Sequence, residues 1–593
     1  MLGPTQLNEL VFQYATFTND IAATAAVPVL RFPGGITAGS SLIAPQGTQQ
    51  TKWQLRDAFS WTLPEIAGLR GLGHQVKAGV SWIHEPRLRV TFAQGTNGIF
   101  TIGALDANGP VTSVLVIGDD NTSLNFPVDS LGLFVQDDWM ATPRLTLNLG
   151  LRWDYTSGFP IDQDSSPNFL ALQAAGRTGR FEGTPLEDFG QTPRGDLDNI
   201  QPRFGFVYDL FGTGRDIIRG GWGIYTDFAY TNANVLTSGI DAQGGGGPVF
   251  IASNPTGLRK ADGTLFRVTD PLSTIAALNL VPPGVRSLAG EVVSPRLEQP
   301  YTIQTTFGWA REIDPNTAVT ADFVRVDGRD INMRLRPNVL VNGQRYLAGV
   351  GISPNSPGFR TAISKGQSLY NGVILGLRRR MANGLDFNLG YTIARATSDV
   401  GTAADEIVQD LIQDITAPFA DVQDGPSTRT DARHQLTFSA IVDVPFGIRV
   451  APIFTYRSAL PTHSFEGRDL NGDGQVNDRT ALAYRFTGLN ENGVATFEEA
   501  GACETVNCSR RAPFRQLNLR ISRAFPLAGP ARIEAIAEIF NLLNGRNPFI
   551  PASTARLSAA GAPLTTFMQP SAYAGDAGQP EQRVGQVGFR ITF

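Results

Sequence analysis

Long apolar runs are absent from this sequence, although it has 593 residues and 42% of them are hydrophobic. A helix needs about 20 mostly apolar residues to cross a bilayer, so a protein that spans a membrane with helices is excluded. The net charge at pH 7 is only -5. Nucleic-acid-binding proteins usually carry a basic excess, and we therefore expect no nucleic-acid partner.

Cysteine and histidine are also scarce, with two cysteines and four histidines. The histidines do not pair at the spacing of a metal site, and Cys503 and Cys508 lack the further ligands of a zinc site. Two alternatives remain for the cysteines. A small disulfide loop fits an oxidising envelope compartment, and two unpaired thiols are the other possibility. We predict the disulfide.

Catalytic patterns and a leader are missing as well. The sequence contains no convincing nucleophile elbow, no phosphate-binding loop with its lysine and no zinc-protease helix, so we predict that the protein is not an enzyme. Its start, residues 1–4, has no basic region followed by an apolar stretch, which is how a signal peptide begins. Either the protein is cytoplasmic, or the reading frame starts partway into a longer gene.

Strict alternation is the strongest feature that is present. In the stretch 145–155, leucine and aromatic residues occupy every odd position, and polar residues or glycine occupy the even ones. The same period recurs in 385–393, 435–444 and 516–525. A period of two indicates a strand with one apolar face. Strands of about 9–11 residues have the length of a tilted crossing of a bilayer.

The connections between strands support the same interpretation. We predict about sixteen long strands, near 6–17, 51–62, 74–84, 129–139, 144–156, 201–211, 215–228, 298–310, 317–327, 368–380, 384–396, 432–444, 447–458, 513–525, 531–541 and 583–593. Short links such as 141–143 alternate with long ones such as 157–200. Outer-membrane barrels show this alternation, with short periplasmic turns and long extracellular loops. The predicted fold is therefore an all-β, transmembrane, antiparallel β-barrel.

The end of the chain carries a further pattern. Val587, Phe589, Ile591 and Phe593 alternate with polar residues or glycine and finish on a terminal aromatic residue. This resembles the C-terminal signal that the outer-membrane barrel assembly machinery recognises. An ordinary last strand is the alternative. The combination with the alternating links favours the signal, and it predicts the bacterial outer membrane and its lipid as the surroundings of the protein.

Several stretches resemble the barrels of TonB-dependent transporters, in particular the Oar-like receptors. They are 133–139 (LFVQDDW), 142–154, 202–209, 218–225 and 537–547, which contains FNLLN. The resemblance implies a barrel of about 22 strands closed by an N-terminal plug with a TonB box, preceded by a regulatory-like sandwich domain. This sequence departs from that pattern, because plug, box, sandwich and about six strands are missing. We expect residues 1–593 to be the C-terminal barrel part of such a receptor.

The resemblance also implies a function. It predicts active uptake of a bulky substrate into the periplasm, with an oligosaccharide, a peptide or a metal chelate as cargo. Energy would come from TonB, ExbB and ExbD through the missing N-terminal part. Two other hypotheses are a passive pore, since about sixteen strands can enclose an aqueous channel, and an adhesive or structural outer-membrane protein. The substrate-binding residues cannot be assigned from the sequence.

One segment has the pattern of a calcium loop. Oxygen-bearing side chains lie at positions 1, 3 and 5 of the segment 469–478, with glycine at position 6, and a backbone carbonyl would ligate from position 7. Thr480 occupies position 12, where a carboxylate is usual, and the last residue of the segment could substitute for it. The candidate ligands are Asp469, Asn471, Asp473, Gln475 and Asp478. The alternative is an Asx-rich turn without metal. We expect no other cofactor.

Overall fold

The computed structural model describes the chain except for residues 1–2, 23–26, 34–35, 41–45, 67, 93–97, 117–122, 126, 158–162, 165, 228–249, 254–255, 272–273, 275–278, 281–290, 353–358, 399–408, 411–424, 474–475, 528, 559–560 and 574–582. Strands account for 62% of the structure and helices for 4%. No helix among the described residues is long and apolar enough to cross a bilayer.

Sixteen long strands of the described chain form one antiparallel sheet. Their bounds are β1 Gln6–Ile21, β2 Gln46–Ile66, β3 Leu69–Phe92, β4 Val128–Thr142, β5 Leu145–Thr156, β6 Ile200–Asp209, β7 Asp216–Thr226, β8 Tyr301–Asp314, β9 Thr317–Leu335, β10 Arg360–Ala382, β11 Leu385–Ser398, β12 His434–Val444, β13 Ile448–Arg457, β14 Phe514–Pro526, β15 Arg532–Phe540 and β16 Val584–Thr592. Each strand pairs with the next one along the chain.

The connections between these strands alternate without exception. Links of two to six residues join β2 to β3, β4 to β5 and every second pair after them, whereas the other links have 24 to 74 residues. Because neighbouring strands are antiparallel, all short links lie at one end of the sheet, which we call the turn end. All long links lie at the other end, the loop end. The predicted all-β architecture with about sixteen antiparallel strands is confirmed.

The two faces of the sheet differ in chemistry, as the alternation predicts. Leu149 on β5 lies opposite Phe204 on β6, which lies opposite Trp222 on β7. These apolar side chains remain about two-fifths exposed, with Leu149 at 40%. The other face carries polar pairs, such as the hydrogen bond of 2.6 Å from Asn148 to Asp138. One face therefore suits lipid and the other suits water.

Several strands run further toward the loop end than the sequence predicts. β3 continues to Phe92 and pairs there with β2 through polar partners such as Arg87 and Thr51. Polar residues pair in a sheet beyond the apolar band as readily as within it, so the apolar period underestimates strand length. Residues 85–92 belong to β3, and Ile99–Ile102 belongs to a second sheet.

The remaining elements belong to the long links. A six-stranded sheet consists of Val29–Arg31, Thr37–Gly39, Ile99–Ile102, Val111–Val116, Phe250–Ser253 and Asn279–Leu280. A five-stranded sheet consists of Pro461–Phe465, Leu482–Leu489, Ala495–Ala502, Ser509–Arg510 and Ser553–Ala555. Short strands at Ser123–Asn125, Glu291–Val293, Gln409–Asp410 and Gly425–Pro426 extend the large sheet, and Leu340–Val341 pairs with Gln344–Arg345. Among the described residues with printed bounds, the helices are α1, Pro167–Arg177, and the 3-10 turns Glu187–Gly190 and Pro445–Gly447.

The largest hydrophobic clusters of the described residues lie at the loop end of the sheet. The largest cluster consists of buried residues from the links 157–199, 227–300 and 336–359 and from the loop ends of β9 and β10: Phe169, Leu172, Phe181, Leu186, Phe189, Val292, Met333, Leu335, Leu347, Ile352, Phe359 and Ile363. A second cluster, around Ile550 and Met568, packs against Tyr484 and Phe486. The long links are thus folded against one another. We call the described residues of 157–199, 227–300, 336–359, 458–513 and 541–583 the loop layer.

Candidate functional site

Helix α1 lies in the first half of the loop layer, which consists of the links 157–199, 227–300 and 336–359. Ser166 precedes the helix and its hydroxyl accepts a hydrogen bond from the backbone N–H of Phe169, while Pro167 occupies the first turn. Such an N-cap followed by proline is a favourable helix start. The buried ring of Phe169 on this helix lies 6.2 Å from the ring of Phe189 in the 3-10 turn Glu187–Gly190, edge to face. The signal for this helix is present in the sequence, although the alternation analysis did not use it.

Reciprocal hydrogen bonds join this half of the layer to the next link. The side chain of Gln163 donates to the carbonyl of Val293 and accepts from its N–H, both at 2.8 Å. Arg180 donates to the carbonyl of Tyr346 at 2.6 Å. These bonds hold together the links 157–199, 227–300 and 336–359. The loop layer is therefore a folded surface on which side chains from distant parts of the chain meet.

The other half of the layer interlocks two more links. Pro461–Phe465 pairs in parallel with Ser553–Ala555 through the register from His463 to Phe465. Next to this pairing, the carboxylate of Glu466 forms an ion pair of 2.6 Å with Arg556. The hydrogen bond to the Glu466 carboxylate raises the pKa of the Arg556 guanidinium. Neither partner was predicted, because the two residues are 90 positions apart in the sequence.

The predicted calcium loop lies within this half of the layer. Asp469 accepts hydrogen bonds from the N–H groups of Gly472 and Asp473 at 2.7 and 3.1 Å, and Asn471 accepts one from Asp473 at 2.9 Å. Asp478 accepts one from the N–H of Leu470 at 2.5 Å. The structure thus brings Asp469, Asn471, Asp473 and Asp478 into one turn, whereas Gln475 lies outside the described residues.

Negative charge is concentrated in this turn. Burial raises the pKa of Asp478 to about 6, against a hydrogen bond from Leu470, and the carboxylates of Asp473 and Asp469 raise it further. In the described part of the chain, no three His, Cys, Asp or Glu side chains are grouped so that they alone could hold a metal ion. Any ion in this turn would therefore need amide and backbone oxygens as additional ligands. Calcium accepts such ligands, whereas zinc sites usually do not use them.

The two cysteines lie beside the same turn. The sulfur atoms of Cys503 and Cys508 are bonded in a disulfide. Arg479, which directly follows the turn, donates a hydrogen bond of 2.5 Å to the carbonyl of Cys503. The disulfide loop and the acidic turn are therefore in contact with each other.

A second acidic region lies in the first half of the layer. Asp196, Asp198 and Glu298 line a cavity of about 170 Å³ together with Arg194 and Arg296. Burial raises the pKa of Asp196, and burial together with the nearby charge of Asp330 raises the pKa of Glu298. Sequence analysis missed this region. The only sequence signal was the pair of aspartates at 196 and 198, which carries little information by itself.

The polar face of the large sheet carries charged pairs across its strands. Arg219 on β7 reaches Asp322 on β9 at 2.7 Å, across Gly308 on β8. A Cβ atom at Gly308 would clash with the Asp322 carboxylate, so glycine leaves the space in which the two side chains meet. At the last strands, Glu534 binds Arg590 at 2.5 Å and Arg520 at 3.8 Å. Toward β5 and β6, a cavity of about 530 Å³ is lined by polar groups that include Arg56, Gln136, Asp138, Arg152 and Arg203.

The predicted assembly signal lies on β16. Val587, Phe589 and Ile591 lie on one face of this strand, opposite Ala537, Ala535 and Ile533 of β15. Val587, Phe589 and Ile591 are exposed, and the terminal Phe593 is 96% exposed. The geometry leaves their side chains accessible to lipid or to another protein, and their role as a signal stays a prediction.

Comparisons with known proteins find a matching family model and several similar solved structures. A family model described as "Outer membrane beta barrel domain" matches residues 3–583. The outer membrane transporter YddB from Escherichia coli gives a TM-score of 0.54 at 11% identity, over 99% of this chain and 60% of that chain. A mutant of the ferric enterobactin receptor PfeA from Pseudomonas aeruginosa gives 0.49 at 12% identity, over 99% and 59%. The siderophore receptor PiuA from Acinetobacter baumannii gives 0.44 at 10% identity, over 100% and 62%.

These comparisons bear on the fold. The similarity to YddB shows that the two proteins share the fold. The chain spans about three-fifths of the length of the solved structures that it resembles. The comparison with curated protein sequences finds no match.

Proposed function

Since the chain belongs to the family of outer membrane beta barrel domains, we propose that it forms the transporting barrel of a receptor that takes a bulky solute into the periplasm. The family and the fold place the chain in the bacterial outer membrane, and the barrels of this group are not enzymes. The observation that carries the proposal is the packed loop layer at one end of a membrane-crossing sheet. Folded loops with convergent charged groups are what a selective receptor needs.

The polar face of the sheet supports the transport step. Ion pairs such as Arg219 with Asp322 and Arg520 with Glu538 satisfy one another across the strands. This polar face is hydrated and charged, and it offers no continuous apolar surface to which a polar solute would adhere. Substrate contact is therefore assigned to the loop layer, and passage to the interior of the barrel.

For the whole protein we propose active uptake by a TonB-dependent receptor of the Oar-like group. The stretches 133–139 and 537–547 support this assignment. TonB, ExbB and ExbD would supply the energy, and the exposed residues Val587, Phe589, Ile591 and Phe593 would be recognised by the barrel assembly machinery. YddB is described as an outer membrane transporter. Oligosaccharides, peptides and metal chelates are the candidate solutes.

The test is accumulation of labelled solutes by cells that carry the complete gene. We expect one class of a panel of ferric chelates, oligosaccharides and peptides to accumulate, and accumulation to stop when TonB is removed. Accumulation that continues without TonB would contradict active uptake. A control strain should lack only the gene, so that other receptors are accounted for.

A passive pore is the second candidate, because sixteen strands can enclose an aqueous channel. Planar-bilayer recording of the purified chain tests the pore, and no channel activity from folded protein would contradict it. A steady conductance would favour the pore only if solute accumulation also continues without TonB, because a receptor barrel without its plug would conduct as well.

A further inference from the structure

The acidic turn of the link 458–513 has properties that transport does not explain. We call Asp469, Asn471, Asp473 and Asp478 together the aspartate turn. Three of its members are buried: Asn471 is 7%, Asp473 is 1% and Asp478 is 0% exposed. Carboxylates are seldom buried to this degree unless a cation or several hydrogen bonds compensate for the lost water.

Asp478 is the member whose buried carboxylate lacks some of its hydrogen bonds. One of its oxygens accepts the hydrogen bond from Leu470, but the other oxygen, Oδ1, is buried and has no hydrogen-bond partner in the described structure. Asp473 belongs to the same turn and is buried as well. A fully buried carboxylate oxygen without a hydrogen-bond partner, in a turn that holds a second buried carboxylate, indicates a place for a cation.

The turn is also where several parts of the loop layer meet. Arg345 of the link 336–359 donates a hydrogen bond to the carbonyl of Gly472, and the N–H of Leu340 donates one to the carbonyl of Asn471 at 3.3 Å. Gly472 has a φ of 76°, and a Cβ atom there would come within 2.7 Å of the Leu340 side chain, so only glycine allows this docking. The turn therefore packs against the link 336–359.

On its other side the turn is tied to the link 541–583. The carbonyl of Asp478 accepts a hydrogen bond from the N–H of Glu466 at 2.8 Å. Glu466 in turn holds Arg556 by the ion pair of 2.6 Å. A change in the shape of the turn would therefore reach both neighbouring links.

We propose that the aspartate turn binds a calcium ion, and that the ion fastens the link 458–513 to the links 336–359 and 541–583. Oxygen side chains at positions 1, 3 and 5 with glycine at position 6 are what a calcium loop needs for its ligands and its sharp bend. The carboxylates supply charge, and the amide of Asn471 and backbone carbonyls complete the shell. This site is independent of which solute the barrel transports.

Calcium fits this turn better than magnesium or zinc does. Magnesium requires a nearly ideal octahedron and usually keeps several waters, which a buried turn does not offer. Zinc prefers nitrogen and sulfur ligands. The nearby His463 has its Nε2 at 2.7 Å from the carbonyl of Asn477, so this nitrogen is already engaged. Mixed oxygen ligands in a loop therefore select calcium.

Limited proteolysis of the full chain in detergent tests the proposal. Trypsin cleaves after Arg468, which is exposed and directly precedes the turn. After treatment with EGTA, calcium chloride alone is titrated back, and the cleavage rate is measured. We expect about a tenfold decrease when free calcium is ten times its Kd, because the ion is bound only by the closed turn. Cleavage after Arg259, in the link 227–300, is the internal control and should not respond.

Two variants sharpen the test. Asp473→Asn should abolish the protection by calcium. Asp478→Asn should have opposite effects in the two conditions: without calcium it removes a buried, incompletely compensated charge and slows cleavage, whereas with calcium it is cleaved faster than the wild type. The matched control is Asp262→Asn, an exposed aspartate that accepts a hydrogen bond from Thr264 in another link. It should behave as the wild type does.

Each outcome of these experiments either supports or overturns the calcium site. Protection by calcium that disappears in Asp473→Asn supports the site. Unchanged cleavage of wild-type protein over the whole titration, with the barrel shown to be folded by its heat-modifiable mobility in gels, overturns it. Equal protection by magnesium at the same concentration also overturns it. If a variant does not fold, the wild-type titration with its Arg259 control still gives the answer.

Discussion

The membrane-crossing sheet and the loop layer expose and bury their apolar residues in opposite ways. On the sheet, Leu149 and Phe204 are 40% and 44% exposed, because their side chains are directed at lipid. In the loop layer, Phe169 and Phe189 are 1% and 0% exposed within a core of their own. The sheet is held by backbone pairing and by the bilayer, whereas the layer is held by close packing. The same substitution should therefore have different consequences in the two regions.

Truncation of a buried aromatic residue should have the largest effect. We expect Phe189→Ala to destabilise the loop layer by about 3–5 kcal/mol, because it leaves a cavity next to Phe169. Phe204→Ala on the sheet should cost much less, since lipid or detergent fills the space. Proteolytic susceptibility of the link 157–199 measures the difference. Equal effects of both substitutions would show that the layer has no core of its own.

A charge on the lipid face should have the next largest effect. Leu149→Arg should destabilise the barrel by about 2–4 kcal/mol, the cost of an arginine near the middle of the bilayer. Asn148→Arg, one position away, points to the polar face, where Asp138 lies within hydrogen-bond distance of residue 148. It should be tolerated. Urea unfolding in lipid vesicles gives both values, and a reversed order would mean that the two faces have been assigned the wrong way round.

Loss of the disulfide should have a smaller effect, confined to the layer. Replacement of Cys503 and Cys508 by serine removes a covalent loop between residues five positions apart. We expect a loss of about 2 kcal/mol in local stability. Arg479 donates a hydrogen bond to the carbonyl of Cys503, so cleavage after Arg479 should accelerate. Urea unfolding of the barrel should stay the same. A change in barrel unfolding would contradict the separation of the two regions.

The same contrast explains how much could be predicted from the sequence. The strands were predictable because the signal for each is local: Leu149 differs from its neighbour Gly150, and the difference repeats every second residue. The sixteen strands and the alternating links follow from this pattern alone. The aspartate turn was recognisable for the same reason, since all its members lie within ten residues.

The packing of the loop layer was not predictable in this way. Phe189 meets Val292 and Met333, which are more than 100 positions away, and nothing in their local sequence indicates the contact. The pair of Glu466 and Arg556 is equally remote. Such contacts depend on how the sheet positions the ends of the long links. A local pattern contains no information about that arrangement.

The smallest effect that we predict is a pH dependence within the layer. The carboxylates of Asp196 and Glu298 have raised pKa values, mainly because of burial, so the folded layer binds their protons more tightly than the unfolded chain does. The stability that protonation contributes is therefore fully present below the ordinary pKa values of 3.8 and 4.5, and it is lost as the pH rises through the raised values. The charged groups that face this region are Asp198, Asp330, Arg194 and Arg296.

Asp196→Asn tests this pH dependence without removing the hydrogen bond that Asp196 accepts from the N–H of Gln299 at 2.8 Å. The amide oxygen of asparagine can accept the same bond, but it carries no charge. We expect hydrogen exchange in residues 194–199 to become slower than in the wild type at about pH 7, and the difference to disappear as the pH falls below the ordinary pKa of 3.8, where the aspartate is protonated. The matched control is Glu182→Gln, an exposed carboxylate of the same link. Faster exchange in Asp196→Asn at about pH 7 would mean that the charge stabilises the layer, because Arg194 and Arg296 then outweigh the cost of burial.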